Sequence, residues 1–303
     1  MEMWMIYDWE GLEKNKDYVA YFREICRPYS INVEAVLEAD VTQRIAGGKT
    51  PAFVLVRTIN PEINRFFEER EIPVFNSFHV SRICNDKGRT LQLLKDKVLS
   101  VPSVSFPNRE LPRILTMDFG GIQRCFREKF IHSSFVEQES EVMEETTDFV
   151  VKAVDGHGGS QVFSLFHERE QIKEGIGGHN FVLQPMIKGG EISRDMRVYV
   201  IGRRIVAAVE RSSSGNFRAN FSLGGEVRLR ELDQTQKKAV DTILREFDFG
   251  MAGIDFIIDE KERIFLNEIE DVVGARMLYR CAPHIDIAEQ FVSYIVHEKL
   301  HIV

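Results

Sequence analysis

Hydrophobic positions change their period along the chain, and the changes predict strands alternating with helices. Residues 3–7 (MWMIY) form a continuous apolar run of strand length. Residues 16–26 place Tyr18, Phe22 and Ile25 at helical spacing. Residues 31–37 and 53–56 read as two further strands. Asn60-Pro61 opens a helix with proline in its first turn and Ile63, Phe66 and Phe67 behind it. Residues 73–75 form a short strand, and Ser77 leads into another helix. This βαβ rhythm predicts a small parallel sheet with helices on its faces.

Further on, NDKGRTLQLLKDKV predicts a helix over residues 85–100, followed by VPSVSFP. Residues 108–148 are less regular. They hold a basic patch (Arg124, Arg127, Lys129) and the run EQESEVMEETTD, whose six acids and no base suit a solvated helix face or loop without a function. FVVKAVDGHGGSQVFSLF reads as strand, glycine turn, strand, and FVLQPMI as a short strand. MRVYVIGRRIVAAVERS predicts a hairpin turning at Gly202. Residues 233–247 form a helix with an aspartate cap, and GIDFIIDEKERIFLNEIE a second hairpin turning near Asp259-Glu260. An amphipathic helix starts near residue 286.

Composition narrows the class. Across 303 residues, 39 Lys+Arg against 47 Asp+Glu leave a net charge of −8, which argues against a general nucleic-acid binder. A chain of this length with 44% hydrophobic and 28% charged residues builds a core without staples. Cys26, Cys84, Cys125 and Cys281 lie far apart with no CxxC pair, so neither a zinc module nor a disulfide framework is expected. The first residues lack a basic region followed by an apolar core, and no apolar run approaches the roughly 18 residues of a membrane helix. The expectation is a cytoplasmic protein with neither a membrane nor a nucleic-acid partner.

Three features carry candidate chemistry. Gly156, Gly158 and Gly159 could bring backbone N–H groups close to an anion, with Lys152 at the end of the preceding strand, although taken alone the glycines are better explained by a tight hairpin turn. Glu268 and Glu270 face one side of a strand, and Asp255 can join them if the register allows. Three like charges on one face call for a cation between them, and oxygen ligands suit Mg²⁺. Arg194, Arg197, Arg204, Arg211 and Arg218, with Asn220, form a basic series able to take carboxylate or phosphate. His79, His132, His157, His167 and His179 show no partner spacing, and His157 suits a solvent-facing loop position better than a phosphate contact.

In this order the features resemble the ATP-grasp superfamily, and within it the ribosomal-protein-S6-modification-like (RimK-type) carboxylate–amine ligases, from about residue 53 to residue 288. NDKGRTLQLL is similar to that group's DK helix, with Lys87 as the first phosphate lysine. VVKAVDGHGGSQV is similar to its second lysine, Lys152, and mobile glycine loop. LQPMI stands where a hinge strand contacts adenine through Gln184, Met186 and Ile187. RDMRVYVIGRRIVAAVERSSSGNFRANFSLGGEV is similar to the DIR, hairpin and FRSN segments, which places Asp195 in the nucleotide site. FGMAGIDFIIDEKERIFLNEIE is similar to the metal-binding strands, with Asp255, Glu268 and Glu270 as ligands.

The resemblance implies an α/β (α+β overall) ATP-grasp fold with an N-terminal Rossmann-like domain. Residues 1–84 would form that domain, 85–188 a central lid subdomain and 189–303 a C-terminal subdomain with the metal site. It also implies a ligase that uses ATP and one or two Mg²⁺ (or Mn²⁺) to join small-molecule or peptide carboxylate and amine substrates through an acyl phosphate. Arg211, Arg218 and Asn220 would face the transferring phosphoryl group. Arg57 is a candidate for a substrate carboxylate, with a surface salt bridge as the alternative. An ATP-binding regulator and a small-molecule kinase stay open as other classes, as does a homo-oligomer. Three departures stand out: Glu270 replaces the usual Asn, Pro185 the usual hinge Glu, and the interval from Lys87 to Lys152 is longer.

Overall fold

The computed structural model describes residues 1–159, 161–187, 192–214 and 226–301. Its elements in chain order begin with β1 (Glu2–Tyr7), α1 (Trp9–Lys14), α2 (Lys16–Cys26), β2 (Asn32–Leu37), α3 (Val41–Ala46), β3 (Phe53–Val56), α4 (Pro61–Glu68) and β4 (Val74–Phe75). These strands pair in parallel in the order β2-β1-β3-β4. The apolar runs are continuous because both sheet faces are covered. Trp4, Ile6, Val54 and Val56 pack with Phe67 of α4 on one face. Met3, Met5, Phe53 and Leu55 pack with Val19 and Phe22 of α2 on the other.

Next come α5 (Phe78–Cys84), α6 (Lys87–Leu94), β5 (Val104–Phe106), α7 (Leu111–Thr116), α8 (Phe119–Lys129), α9 (Val136–Glu145), β6 (Phe149–Ala153), β7 (Val162–Ser164), α10 (Arg169–Ile176) and β8 (Phe181–Pro185). The helix expected over 85–100 ends at Leu94. Beyond it the backbone leaves the helical path because the Leu266 N–H donates to Leu99 O and the Val101 N–H to Leu266 O, both near 3 Å. Residues 108–148, expected to be irregular, are largely helical. Gly120 and Gly121 hid α8, yet Asp118 caps it and Ile122, Cys125 and Phe126 are buried at helical spacing. The second sheet is antiparallel in the order β5-β8-β6-β7, with these helices packed on it.

The acidic run is not merely solvated. Glu139 is buried, its carboxylate accepting from Ser133 and His132. Asp148 is buried too, and Glu141 forms ion pairs with Lys261 and Arg263.

The third sheet holds β9 (Ile192–Ile201), β10 (Arg204–Ser214), β11 (Glu226–Leu229), β12 (Met251–Ile258) and β13 (Ile264–Glu270), and between β11 and β12 lies α11 (Gln234–Glu246). All its pairs are antiparallel, in the order β11-β10-β9-β12-β13. Helix α11, started by a capping box between Asp233 and Gln236, packs with α5 and α6 on one face. The opposite face meets α12 (Arg276–Cys281), α13 (Ile287–Tyr294) and the first sheet. No described helix is long and apolar enough to cross a membrane.

Asn76, buried after β4, ties the first sheet to the third. Its Nδ2 donates to Met251 O at 2.9 Å and Asp271 O at 3.0 Å, and its Oδ1 accepts from the Gly250 N–H at 2.5 Å. Asn76→Ala leaves these three backbone groups unpaired, so it should lower stability by about 2–4 kcal/mol. A urea midpoint within error of wild type would show that the connection is unimportant.

Candidate active site

The second and third sheets face a cavity of about 450 Å³, to which the N-terminal part adds Lys14 of α1. The third sheet supplies its carboxylates. Asp255 of β12 pairs in register with Glu268 of β13, and Glu270 follows two residues on, on the same strand face. Oxygens of all three lie within 4.8 Å of one another, a donor set that fits a hard divalent cation.

Cationic side chains partner each carboxylate of this cluster. Arg197 of β9, in register with Asp255, donates Nε and Nη2 to both its oxygens at 2.7 Å. The same Nη2 meets Glu270 at 2.8 Å. Arg211 Nη2 donates to Asp255 at 3.1 Å, and Lys87 Nζ meets Glu268 at 2.9 Å. Burial would raise Asp255, but Arg197 and Arg211 hold it below the ordinary carboxylate range. For Glu268 burial is likewise outweighed, by Lys87 first. Glu270 is raised by burial, which Arg197 only partly offsets beside Asp255 and Glu268.

A bulge places one residue that the sequence pattern missed. Asp255 pairs with Glu268 but Phe256 pairs with Leu266, so Asn267 is the extra residue of β13. Instead of facing away from Glu268, Asn267 lines the cavity beside it and accepts from Lys152 Nζ at 2.6 Å. Burial pushes the Lys152 ammonium down to about 8, opposed by Glu268 and assisted by Lys87.

Lys87 also donates to Gly156 O, so Gly156 offers a carbonyl and does not line the cavity. Gly158 and Gly159 do line it, at φ +65° and +77°, a region open mainly to glycine. His157 is half-buried, not solvent-facing, and burial followed by Lys87 lowers its pKa.

At the hinge, Gln184, Pro185, Met186 and Ile187 line the cavity. Gln184 Nε2 donates to Ser103 Oγ at 2.7 Å, while its buried Oε1 has no partner among the described residues. That orphaned acceptor fits a ligand carrying an amino donor, as adenine does. The Met186 N–H already donates to Asp148 O at 2.9 Å, leaving its side chain for the cavity.

The basic series separates. Arg211 lines the cavity, with Nε donating to Asp195, whose carboxyl burial raises to about 6. Arg194 lines it while paired with Glu210 and Glu262. Arg197, expected to take a ligand anion, is engaged with Asp255 and Glu270. Exposed Arg204 pairs with Glu298 outside the cavity. Arg218 and Asn220 lie outside the described residues.

Among the described residues, Arg57 makes no salt bridge. Its Nη2 donates to Val273 O at 3.1 Å, its guanidinium lies 5.4 Å from the Tyr18 ring, and its buried Nε has no partner among the described residues. It sits beside the cavity, not in its lining. Lys14 and Arg276 do line it, and neither forms an ion pair with a described residue. No local signal marks them, because separate parts of the chain bring them together.

The chain is also similar to known proteins. A family model described as RimK-like ATP-grasp domain matches residues 127–295. Over 241 residues the chain is 28% identical to the uncharacterised protein MG011 of Mycoplasma genitalium, covering 78% of this chain and 69% of that one. A protein of Haemophilus ducreyi named probable alpha-L-glutamate ligase is 22% identical over 244 residues, 77% of this chain and 69% of the relative. D-alanine–D-alanine ligase from Bacillus anthracis, solved with ATP, superposes with a TM-score of 0.68 at 13% identity, over 98% of this chain and 96% of that one. At that identity the likeness establishes the fold.

Lys152 yields a pH test. Its folded pKa, near 8, lies below the ordinary lysine value near 10.5, so at neutral pH the folded state holds a buried charge that unfolding releases. This destabilisation is fully present below pH 8 and is relieved between about pH 8 and 10.5. Lys152→Met should therefore stabilise the protein at pH 7, and its advantage should shrink by pH 10. Urea midpoints whose difference stays constant with pH would remove the assignment.

Proposed function

The chain belongs to the RimK-like ATP-grasp family, and from that premise we propose that it is an ATP-dependent carboxylate–amine ligase. In this reading ATP phosphorylates a substrate carboxylate, an amine attacks the acyl phosphate, and ADP and phosphate are released. The observation that supports it is one cavity gathering two buried lysines, two left-handed glycines, an orphaned hinge amide and a carboxylate trio.

Phosphoryl transfer asks a protein for positioning and charge neutralisation more than for a covalent nucleophile. Lys87 and Lys152 suit the α and β phosphates, and the Gly158-Gly159 backbone suits a cover over the phosphate chain that excludes water. Gln184, with the Met186 and Ile187 side chains, suits adenine. Asp255, Glu268 and Glu270 would hold one or two Mg²⁺, or Mn²⁺, which would neutralise charge on the β and γ phosphates. Arg211, oriented by Asp195, is the described residue assigned to the transferring phosphoryl group. Arg218 and Asn220 keep that assignment on sequence alone.

The cavity also suggests the substrate class. Lys14 and Arg276 are unengaged by described carboxylates, and Arg57 lies close behind. A cationic lining favours a substrate with a carboxylate beyond the reacting one, such as an acidic amino acid or an acidic peptide terminus. The name of the Haemophilus relative points the same way.

Two measurements test the reading. Glu268→Gln should reduce ADP release by about 100-fold or more while its circular dichroism stays unchanged, and wild type with hydroxylamine should give a hydroxamate. Near-wild-type turnover at saturating Mg²⁺ would remove the metal assignment, and a stable phosphate ester in place of the hydroxamate would make the enzyme a kinase. Separately, Arg276→Ala should raise KM for an acidic substrate about tenfold with kcat within about twofold. An unchanged KM would detach Arg276 from substrate binding.

A further inference from the structure

A second cleft, of about 420 Å³, lies between α6, the segment entering β5, the end of α8 and α9. Its apolar lining comes from Leu91, Val101 and Val104, all buried, with Phe130 and the exposed Ile131 beside them. Two ammonium groups border it, Lys95 from the end of α6 and Lys129 from the end of α8. Neither has a carboxylate within ion-pair distance among the described residues. Lys129 Nζ rests 5.6 Å from the Phe106 ring centroid. Glu139, the acid in this lining, is already engaged by Ser133 and His132.

This cleft is joined to the nucleotide cavity. Val101 lines both. Ser103, which lines the cleft, donates to Val101 O at 2.6 Å and accepts from Gln184 Nε2 at 2.7 Å. Gln184 is the hinge side chain with the orphaned oxygen. A ligand that repositions Ser103 therefore changes how Gln184 presents itself to a nucleotide.

We propose that the cleft is an effector site for a small amphipathic anion, with its charged head on Lys95 and Lys129, its apolar body on Leu91, Val104 and Phe130, and its binding coupled to nucleotide affinity through Ser103 and Gln184. The chemistry follows from the lining: unpaired cations select an anion, and an apolar wall selects a molecule larger than an inorganic ion. Coupling between the sites is reciprocal, so each ligand changes the affinity of the other by the same factor.

Anilinonaphthalene sulfonate, an amphipathic sulfonate, serves as the probe on the full chain. Its fluorescence should report one saturable site, weakened about tenfold or more by Lys95→Glu with Lys129→Glu. Lys237→Glu with Lys238→Glu, the same charge change on the solvent face of α11, should leave it unaltered. In calorimetry, saturating probe should shift the Kd of Mg-ADP by about fivefold, and Ser103→Ala should abolish that shift. Equal probe affinity in both double variants would overturn the site. Probe affinity that falls without a plateau as Mg-ADP rises would place the probe in the nucleotide cavity and overturn it as well. A protein that binds no nucleotide fails the ligase reading instead, and the fluorescence comparison still decides the cleft.

Discussion

The register of the third sheet is the constraint on which the site depends. Asp255 is 2% exposed, and a carboxylate so buried is tolerated only with well-placed partners. Arg197 of β9 stands opposite Asp255, and Arg211 of β10 stands opposite Asp195 of β9, so each of these two acids faces an arginine on the neighbouring strand. A one-residue slip of β9 would drive Arg197 toward the face where Ile254 and Phe256 pack, and would turn Met196 and Val198 toward the cavity. Core packing and charge pairing therefore specify the same register.

The rest of the fold brings other elements to this strip. The second sheet carries Lys152 and Gln184, and it is fastened to β13 and the turn before it. The backbone at Leu99 and Val101 bonds to Leu266, and Glu141 of α9 reaches Lys261 and Arg263. The acidic run is thus part of the joint between the two sheets that enclose the cavity. The net charge of −8 is correspondingly uneven. Residues 137–148 hold six acids and no base, and residues 255–271 seven acids against two bases. Residues 188–230 hold nine bases against four acids.

What could be read from sequence follows the range of the forces involved. The first sheet was legible because a parallel strand covered on both faces is an unbroken apolar run, and the hairpins because Gly202 and Asp259 punctuate alternating strands. Glu268 and Glu270 were legible as a pair because strand period alone sets their common face. Helix α8 was not, since two adjacent glycines mimic a loop until Phe126 is seen packed against Phe149. Asn267 was hidden by a bulge, which breaks the very period that exposed its neighbours. Among the arginines, identical chemistry conceals opposite fates: Arg197 is buried on two carboxylates, whereas Arg204 lies on the surface with Glu298. Lys14 and Arg276 belong to different sheets' surroundings, and only the tertiary fold makes them neighbours of one cavity.

The charge balance also bears on why a ligase of this kind would take its cation and nucleotide together. Asp255, Glu268 and Glu270 face Arg197, Arg211 and Lys87, so three negative side chains already meet three positive ones. A divalent cation alone would add charge to a balanced, partly buried cluster, and a polyphosphate alone would add the opposite charge. Lys87 is shared between Glu268 and the position where phosphate is assigned. Were its ammonium to turn toward a phosphate, Glu268 would be left with an oxygen for a cation, and the balance would survive only if both partners arrived. Where the usual Asn would present a neutral side chain, Glu270 adds a charge that Arg197 must also hold at 2.8 Å. That pair links β13 to β9, but burial together with the neighbouring Asp255 and Glu268 outweighs Arg197 and raises the Glu270 carboxyl above its ordinary value.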